Sequence, residues 1–144
     1  MRIVDANVLL YAVNSRASHH EPSRAWLDGA LSGQDRVGLA WLPMLAFVRL
    51  STSPRVFPSP LSPAQAMSRV QEWLTAPSAV VVHPTERHAA ILDRLLTASG
   101  SGGNLTNDAH LAALAVEHRA EIVSYDTDFT RFREIRCRRP DELL

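Results

Sequence analysis

Four aspartates spread along the chain are the residues best suited to chemistry. Asp5 follows the apolar residues "RIV", Asp108 lies in "NLTNDAHLAALAVEH", and Asp126 and Asp128 follow "EIVSY". A carboxylate in an apolar segment is costly unless it is paired, and neighbouring carboxylates take up protons unless a cation compensates them. Hard oxygen ligands of this kind select Mg²⁺ or Mn²⁺, with water and substrate phosphate completing the coordination.

A metal held by these acids implies hydrolysis of phosphoester bonds, because the ion positions a water for in-line attack and neutralises the leaving oxygen. Each acid also has a structural explanation. Asp108 suits the first turn of a helix, and Asp126 with Asp128 suits a tight turn. Asn7, two residues after Asp5, either orients a ligand or water or caps the following helix.

The segment "DTDFT" is open to a second chemical interpretation. It matches the DxDxT motif of aspartate-nucleophile phosphatases, in which Asp126 is phosphorylated and Asp128 acts as acid and base. That motif opens its domain and requires a basic residue and further acids downstream. Here it lies near the end of a chain that contains no lysine, so this hypothesis remains a remote alternative.

The elements that position these acids alternate between apolar strands and amphipathic helices. Strands are predicted at 2–5, 36–40, 79–83 and 121–126, with "IRCR" as an edge strand, and helices between them, including 41–52, 62–76, 85–99 and 104–120. This order predicts one α/β domain over residues 1–144, with a mainly parallel sheet covered by helices on both faces. Ligands bind beyond the carboxyl ends of such strands, where Asp5 and Asp126 fall.

Composition narrows the class of protein. The chain has 144 residues, 46% hydrophobic and 21% charged, which is ordinary for a globular domain with its own core. One cysteine and no apolar run of membrane length favour a cytoplasmic protein without a membrane anchor. All basic residues are arginine, and those between 131 and 139 suit either phosphate contacts or a solvated face.

Three segments, in order and spanning nearly the whole chain, resemble the PIN-domain ribonucleases. They are "IVDANVLLYAV", "FVRLSTSPRVF" and "NLTNDAHLAALAVEH…EIVSYDTDF". The resemblance is greatest to the VapC toxins of bacterial type II toxin–antitoxin pairs, in the mycobacterial-type branch. It implies an α/β/α fold, Mg²⁺-dependent cleavage of RNA, a VapB-type antitoxin that blocks the active site, and a homodimer.

The resemblance also implies roles for individual residues. Asp5, Asp108 and Asp126 match the catalytic and metal-site acids, with Asp128 as a further metal ligand. Ser124 and Arg49 match positions that support the site, as does Asn7.

One departure from the family pattern concerns the helix after the second strand. Many PIN domains carry a glutamate there, shortly before the position of Arg49, whereas this chain has Met44 and Ala46. Glu21, Glu86 and Glu117 are the candidate replacements, and the sequence does not select one of them. The gap also keeps open a second hypothesis, a PIN-fold module that binds RNA or antitoxin with weak or no catalysis.

Overall fold

Five short strands form one parallel sheet in the computed structural model, which describes residues 1–144. The spatial order is β3-β2-β1-β4-β5, and every neighbouring pair is parallel. The strands are β1 Arg2–Val4, β2 Val37–Leu39, β3 Ala79–Val81, β4 Glu121–Val123 and β5 Cys137–Arg138. Because chain order reverses on either side of β1, the carboxyl ends of β1 and β4 form the crevice in which parallel sheets bind ligands.

Six helices connect and cover the strands. They are α1 Ala6–Val13, α2 His20–Leu31, α3 Trp41–Ser51, α4 Pro63–Thr75, α5 His88–Ser99 and α6 Leu105–His118. Two short 3₁₀ helices, Thr127–Arg131 and Pro140–Glu142, flank β5. Local sequence fixes several ends: Ser62 and Gln65 form a capping box before α4, and Gly100 ends α5 with a left-handed φ of 70°.

The sheet separates two hydrophobic cores because side chains alternate across a strand. Ile3 and Ile122 pack with α5 and α6 on one face. Val4 and Val123 pack with α1 to α4 on the other. Gly38 lies in the middle of β2, where an added Cβ would sit 2.8 Å from the Ile3 side chain, so only glycine allows this approach of β2 to β1.

The predicted fold class is confirmed, with one helix boundary moved. The helix expected from residue 85 begins at His88, because residues 85–87 form a turn in which Thr85 donates hydrogen bonds to Glu117. Trp26 and Trp73 are core residues, whereas Trp41 is 43% exposed at the start of α3. No helix has the length and apolar character needed to cross a membrane.

Candidate metal centre

The site begins where β1 and β4 end side by side. Val4 is paired with Val123, so the next residues, Asp5 and Ser124, are neighbours at the edge of the sheet. The buried Ser124 hydroxyl donates a hydrogen bond of 2.6 Å to Asp5 Oδ2. Strand register therefore brings together two residues that lie far apart in the sequence.

Asn7 fixes the orientation of this pair from the first turn of α1. Its Nδ2 donates to Asp5 Oδ2 at 3.0 Å and to Ser124 Oγ at 2.9 Å, and its Oδ1 accepts from the Tyr125 amide. The helix cap is instead Asp5, whose Oδ1 accepts from the Ala6 amide at 2.7 Å. Of the two interpretations of Asn7, the capping role is therefore wrong.

Ser124 also orients the loop that carries the two late acids. Its hydroxyl accepts from the Asp126 amide at 2.9 Å, and Asp126 Oδ1 accepts from the Asp128 amide at 2.8 Å. Asp126 thus caps the 3₁₀ helix that follows it. The turn predicted for this segment exists, and the turn directs both side chains towards α6.

Asp108 completes a group of three carboxylates. One oxygen each from Asp108, Asp126 and Asp128 lies within 4.8 Å of the others, a spacing that a single cation can bridge. Asp5 lies beside this group, with both of its oxygens engaged in hydrogen bonds. The structure therefore gives Asp128 a place equal to that of Asp126, although the sequence favoured Asp126.

The acids carry negative charge that the protein leaves largely uncompensated. Burial, followed by the charges of Asp126, Asp5 and Asp128, raises the pKa of Asp108 to about 6. Burial also raises the pKa of Asp5, although hydrogen bonds from Ser124 and Ala6 oppose the shift. The one ion pair to the group is an exposed contact of 3.6 Å between Arg131 and Asp128. A donor set of repelling carboxylates fits a hard divalent cation.

A cleft of about 310 Å³ opens between these acids and α3. Asp5 and Asp108 line one side and Arg49 the other, and Arg49 makes no ion pair in the structure. Ala46 also lines the cleft, whereas Met44 is buried in the core. Of the two positions at which a glutamate was expected, Ala46 is therefore the one that faces the cleft.

None of the three glutamates considered as replacements reaches the cleft. Glu117 is buried against His88 and Thr85, at the start of α5. Glu21 is exposed in the first turn of α2, and Glu86 is exposed in the turn before α5. Apart from Arg49, the wall formed by α3 is therefore apolar, and the acids lie on the opposite side only.

Asn107 is a cleft residue that the sequence analysis did not identify. Its side chain makes no hydrogen bond and is exposed beside Asp108 in the first turn of α6. The one feature of the sequence that could have identified Asn107 is its position directly before Asp108, a candidate metal ligand.

Comparison with known proteins agrees with this architecture. A family model described as the PIN domain matches residues 2–135. The chain is 65% identical to Ribonuclease VapC37 of Mycobacterium tuberculosis over 144 residues, the full length of both proteins. It is 39% identical to Ribonuclease VapC33 of the same species, covering 97% of this chain and 98% of that protein. The chain therefore belongs to the PIN-domain family, among the VapC ribonucleases.

Solved structures share the fold at low sequence identity. VapBC2 from Rickettsia felis, bound to a DNA fragment from its promoter, superposes with a TM-score of 0.69 at 17% identity, covering 96% of this chain and 97% of that one. VapBC-1 from nontypeable Haemophilus influenzae gives 0.68 at 16% identity, covering 97% and 98%. Membership in this family leaves the phosphatase interpretation of "DTDFT" without support.

Proposed function

We propose that this chain is a metal-dependent endoribonuclease and the toxin of a type II toxin–antitoxin pair. The observation that carries the proposal is the group formed by Asp108, Asp126 and Asp128, whose oxygens lie within 4.8 Å of one another at the carboxyl edge of the sheet. The family and the ribonuclease relatives supply the reaction class, and the carboxylates supply a chemical means for it.

In this proposal the three acids hold Mg²⁺, with Mn²⁺ as an alternative ion. When bound, the cation supplies an activated water and neutralises charge on the leaving oxygen. Asp5 lines the cleft beside Asp108 and accepts a hydrogen bond from a water with the Oδ1 lone pair that the Ala6 amide does not use. Ser124 and Asn7 are positioning residues, because they hold Asp5 and the Asp126 loop in a fixed orientation.

The cations around the cleft suit a polyanionic substrate. Arg49 faces the acids across the cleft, where it is free to bind a phosphate oxygen. Arg133 and Arg136 follow the Asp126 loop in the sequence, are exposed and make no ion pair, but they do not line the cleft, so they offer phosphate contacts outside it. RNA binding through such contacts weakens with salt because counterions are released when phosphates are neutralised.

The test is cleavage of total RNA by the purified chain with Mg²⁺ or Mn²⁺, and again after EDTA. Cleavage is expected to require the ion and to fall at least about 100-fold in Asp5→Asn and Asp108→Asn, because each variant loses a carboxylate that holds the cation or orients the water. Asp93→Asn, an exposed acid on α5, is the matched control and keeps wild-type activity. Cleavage that persists in EDTA, or full activity in Asp108→Asn, contradicts the proposal.

The apolar wall at Ala46 supports a second candidate function, a binding module with little or no catalysis. Without a carboxylate from α3, the acids have one fewer charge with which to hold a cation. This alternative predicts RNA or antitoxin binding without turnover. Robust cleavage that is lost in Asp108→Asn excludes it.

The proposed partners are a VapB-type antitoxin and a second copy of this chain. The fold is shared with toxins solved in VapBC complexes, and the relatives are named VapC. Co-expression with the product of a small neighbouring gene is expected to yield a stable complex without RNA cleavage. Sedimentation of the chain alone tests the dimer. A chain that is non-toxic in cells and recovers no such product contradicts the toxin assignment.

A further inference from the structure

The cleft has two chemically opposite walls. Asp5 and Asp108 form the acidic one, and four apolar residues of α3, Leu42, Pro43, Leu45 and Ala46, form the other. We call this apolar wall with the space in front of it the α3 recess. The cleft volume of about 310 Å³ lies at the lower end of the range for small-molecule pockets.

The apolar wall is exposed to solvent and is not part of the hydrophobic core. Leu45 is 58% exposed, although the neighbouring Met44 and Phe47 of the same helix are almost fully buried. Leaving leucine in water beside carboxylates is unfavourable, and a ligand with an apolar face removes that cost when it binds there.

Two unused hydrogen-bond donors complete the recess. The Arg49 guanidinium makes no ion pair and no side-chain hydrogen bond, and the Asn107 amide makes none either. A guanidinium binds phosphate oxygens, whereas an amide offers both a donor and an acceptor to the edge of a base. These groups are complementary to a nucleotide, which combines a flat apolar ring with polar edges and a charged phosphate.

We propose that the α3 recess binds one unpaired nucleobase of the RNA, next to the phosphate placed at the aspartates. The inference rests on the proposed ribonuclease function and adds to it a determinant of where the RNA is cut. Single-stranded RNA is recognised in this way, through the face of a splayed base and hydrogen bonds to its edges. Ala46 contributes directly, because a longer side chain at that position would occupy the space in front of the apolar wall.

The first test measures binding without cleavage. The four nucleoside 5′-monophosphates are titrated into methyl-labelled protein, and the resonances of Leu42, Leu45 and Ala46 are followed by NMR. These methyl signals are expected to shift, and Leu45→Ala is expected to weaken the tightest nucleotide about fivefold because apolar contact area is lost. Shifts confined to the surroundings of Arg49, with inorganic phosphate acting equally well, overturn the proposal.

The second test measures cleavage preference in an RNA pool with a randomised single-stranded segment. Sequencing of the new ends is expected to show one preferred base beside the cut. Leu45→Ala and Asn107→Ala reduce that preference about tenfold, as expected when the base loses a stacking or edge contact. Trp41→Ala is the matched control, because Trp41 is an exposed apolar residue one turn earlier on α3 that does not line the cleft.

The outcomes separate this inference from the proposed function. RNA cleavage with no base preference and no methyl shift removes the nucleobase site and leaves the ribonuclease proposal intact. Methyl shifts with nucleotides in a chain that cuts no RNA remove the ribonuclease proposal and retain the site. If the recess responds to a co-expressed antitoxin but not to any nucleotide, its occupant is a protein side chain and the inference is wrong.

Discussion

Carboxylates lie at both ends of α6, and their surroundings differ: a group of three part-exposed aspartates stands at its start, and one glutamate with hydrogen-bond partners near its end. At the start of the helix, Asp108 meets Asp126 and Asp128, and burial and like charge raise its pKa to about 6. Near the end, the fully buried Glu117 side chain accepts hydrogen bonds from Thr85 and lies 2.6 Å from His88.

The Glu117 carboxylate has hydrogen-bond partners within the chain, Thr85 and His88. Burial acts to raise the pKa of Glu117, yet hydrogen bonds from Thr85 and His88 outweigh it and lower that pKa. Glu117 therefore holds the start of α5 against α6 and needs no ligand. The contrast indicates that a carboxylate with complete hydrogen bonding serves structure, whereas carboxylates that repel one another and have few cationic partners have the character of a cation site.

The largest expected difference between the two ends of α6 appears when one carboxylate at each end is replaced by its amide. Asp126→Asn is expected to lower RNA cleavage at least about 100-fold, because the acidic group loses a charged ligand. Glu117→Gln is expected to keep cleavage within about threefold at a temperature at which both variants are folded, since Glu117 is remote from the cleft. The measurement is the rate at which each variant cleaves the same RNA at one fixed Mg²⁺ concentration. Equal losses in both variants would show that the carboxylates at the two ends of α6 act as one site.

The next effect is on stability and concerns Glu117. Glu117→Ala is expected to lower the free energy of unfolding by about 2–3 kcal/mol, because the Thr85 amide, the Thr85 hydroxyl and His88 all lose their acceptor. Urea denaturation followed by circular dichroism measures the change. Glu72→Ala, an exposed acid on α4, provides the control and is expected to change stability by less than about 0.5 kcal/mol. Similar losses in both variants would remove the structural role of Glu117.

A third effect concerns the pH dependence of cleavage. Because the pKa of Asp108 is raised to about 6, this ligand is protonated below that pH and competes with the cation. Cleavage at subsaturating Mg²⁺ is expected to fall about tenfold for each pH unit below 6, and a higher Mg²⁺ concentration is expected to shift the profile towards acid. A profile that is flat between pH 4.5 and 7 contradicts a role for Asp108 as a ligand.

The smallest effect is a gain in stability. A pKa raised above its value in the unfolded chain means that folding favours the protonated form, so stability is lost as the pH rises from about 4 to 6. Asp108→Asn is therefore expected to stabilise the metal-free chain at pH 7.5 by about 1 kcal/mol, a figure reduced for solvent screening of a part-exposed group.

Urea denaturation in EDTA at pH 7.5 and pH 4 measures this gain, which is expected to disappear at the lower pH. Added Mg²⁺ is expected to stabilise the wild type more than the variant. If Asp108→Asn destabilises the metal-free chain at pH 7.5, Asp108 is a structural residue like Glu117.

Much of the fold followed from local patterns in the sequence. The alternation of apolar strands with helices predicted a parallel sheet, and the helices predicted at 62–76 and 104–120 lie within two residues of the observed α4 and α6. The start of α5 was misplaced because it depends on Glu117, a contact between residues 32 positions apart. No local signal at residues 85–88 reports that contact.

Some residues of the site could likewise be predicted from the sequence, and others could not. The sequence identified Asp5, Asp108, Asp126 and Asp128 as acids that a fold of this class gathers at one edge of its sheet. It gave Asp126 more weight than Asp128, whereas the structure groups both with Asp108, since the distances among carboxylate oxygens depend on the Ser124 hydroxyl and the loop that it holds. It also did not identify Asn107, whose importance lies only in what it faces.

By itself, then, the sequence determined the residue types, the α/β fold class with a mainly parallel sheet, and the class of chemistry that clustered aspartates support. Only the tertiary structure decided that Asp128 joins Asp126 and Asp108, that Ala46 rather than Met44 faces them, and that Glu117 is engaged elsewhere. The reason is physical: charge repulsion, hydrogen bonding and the shape of a cleft act over a few ångströms, and chain separation does not report such distances.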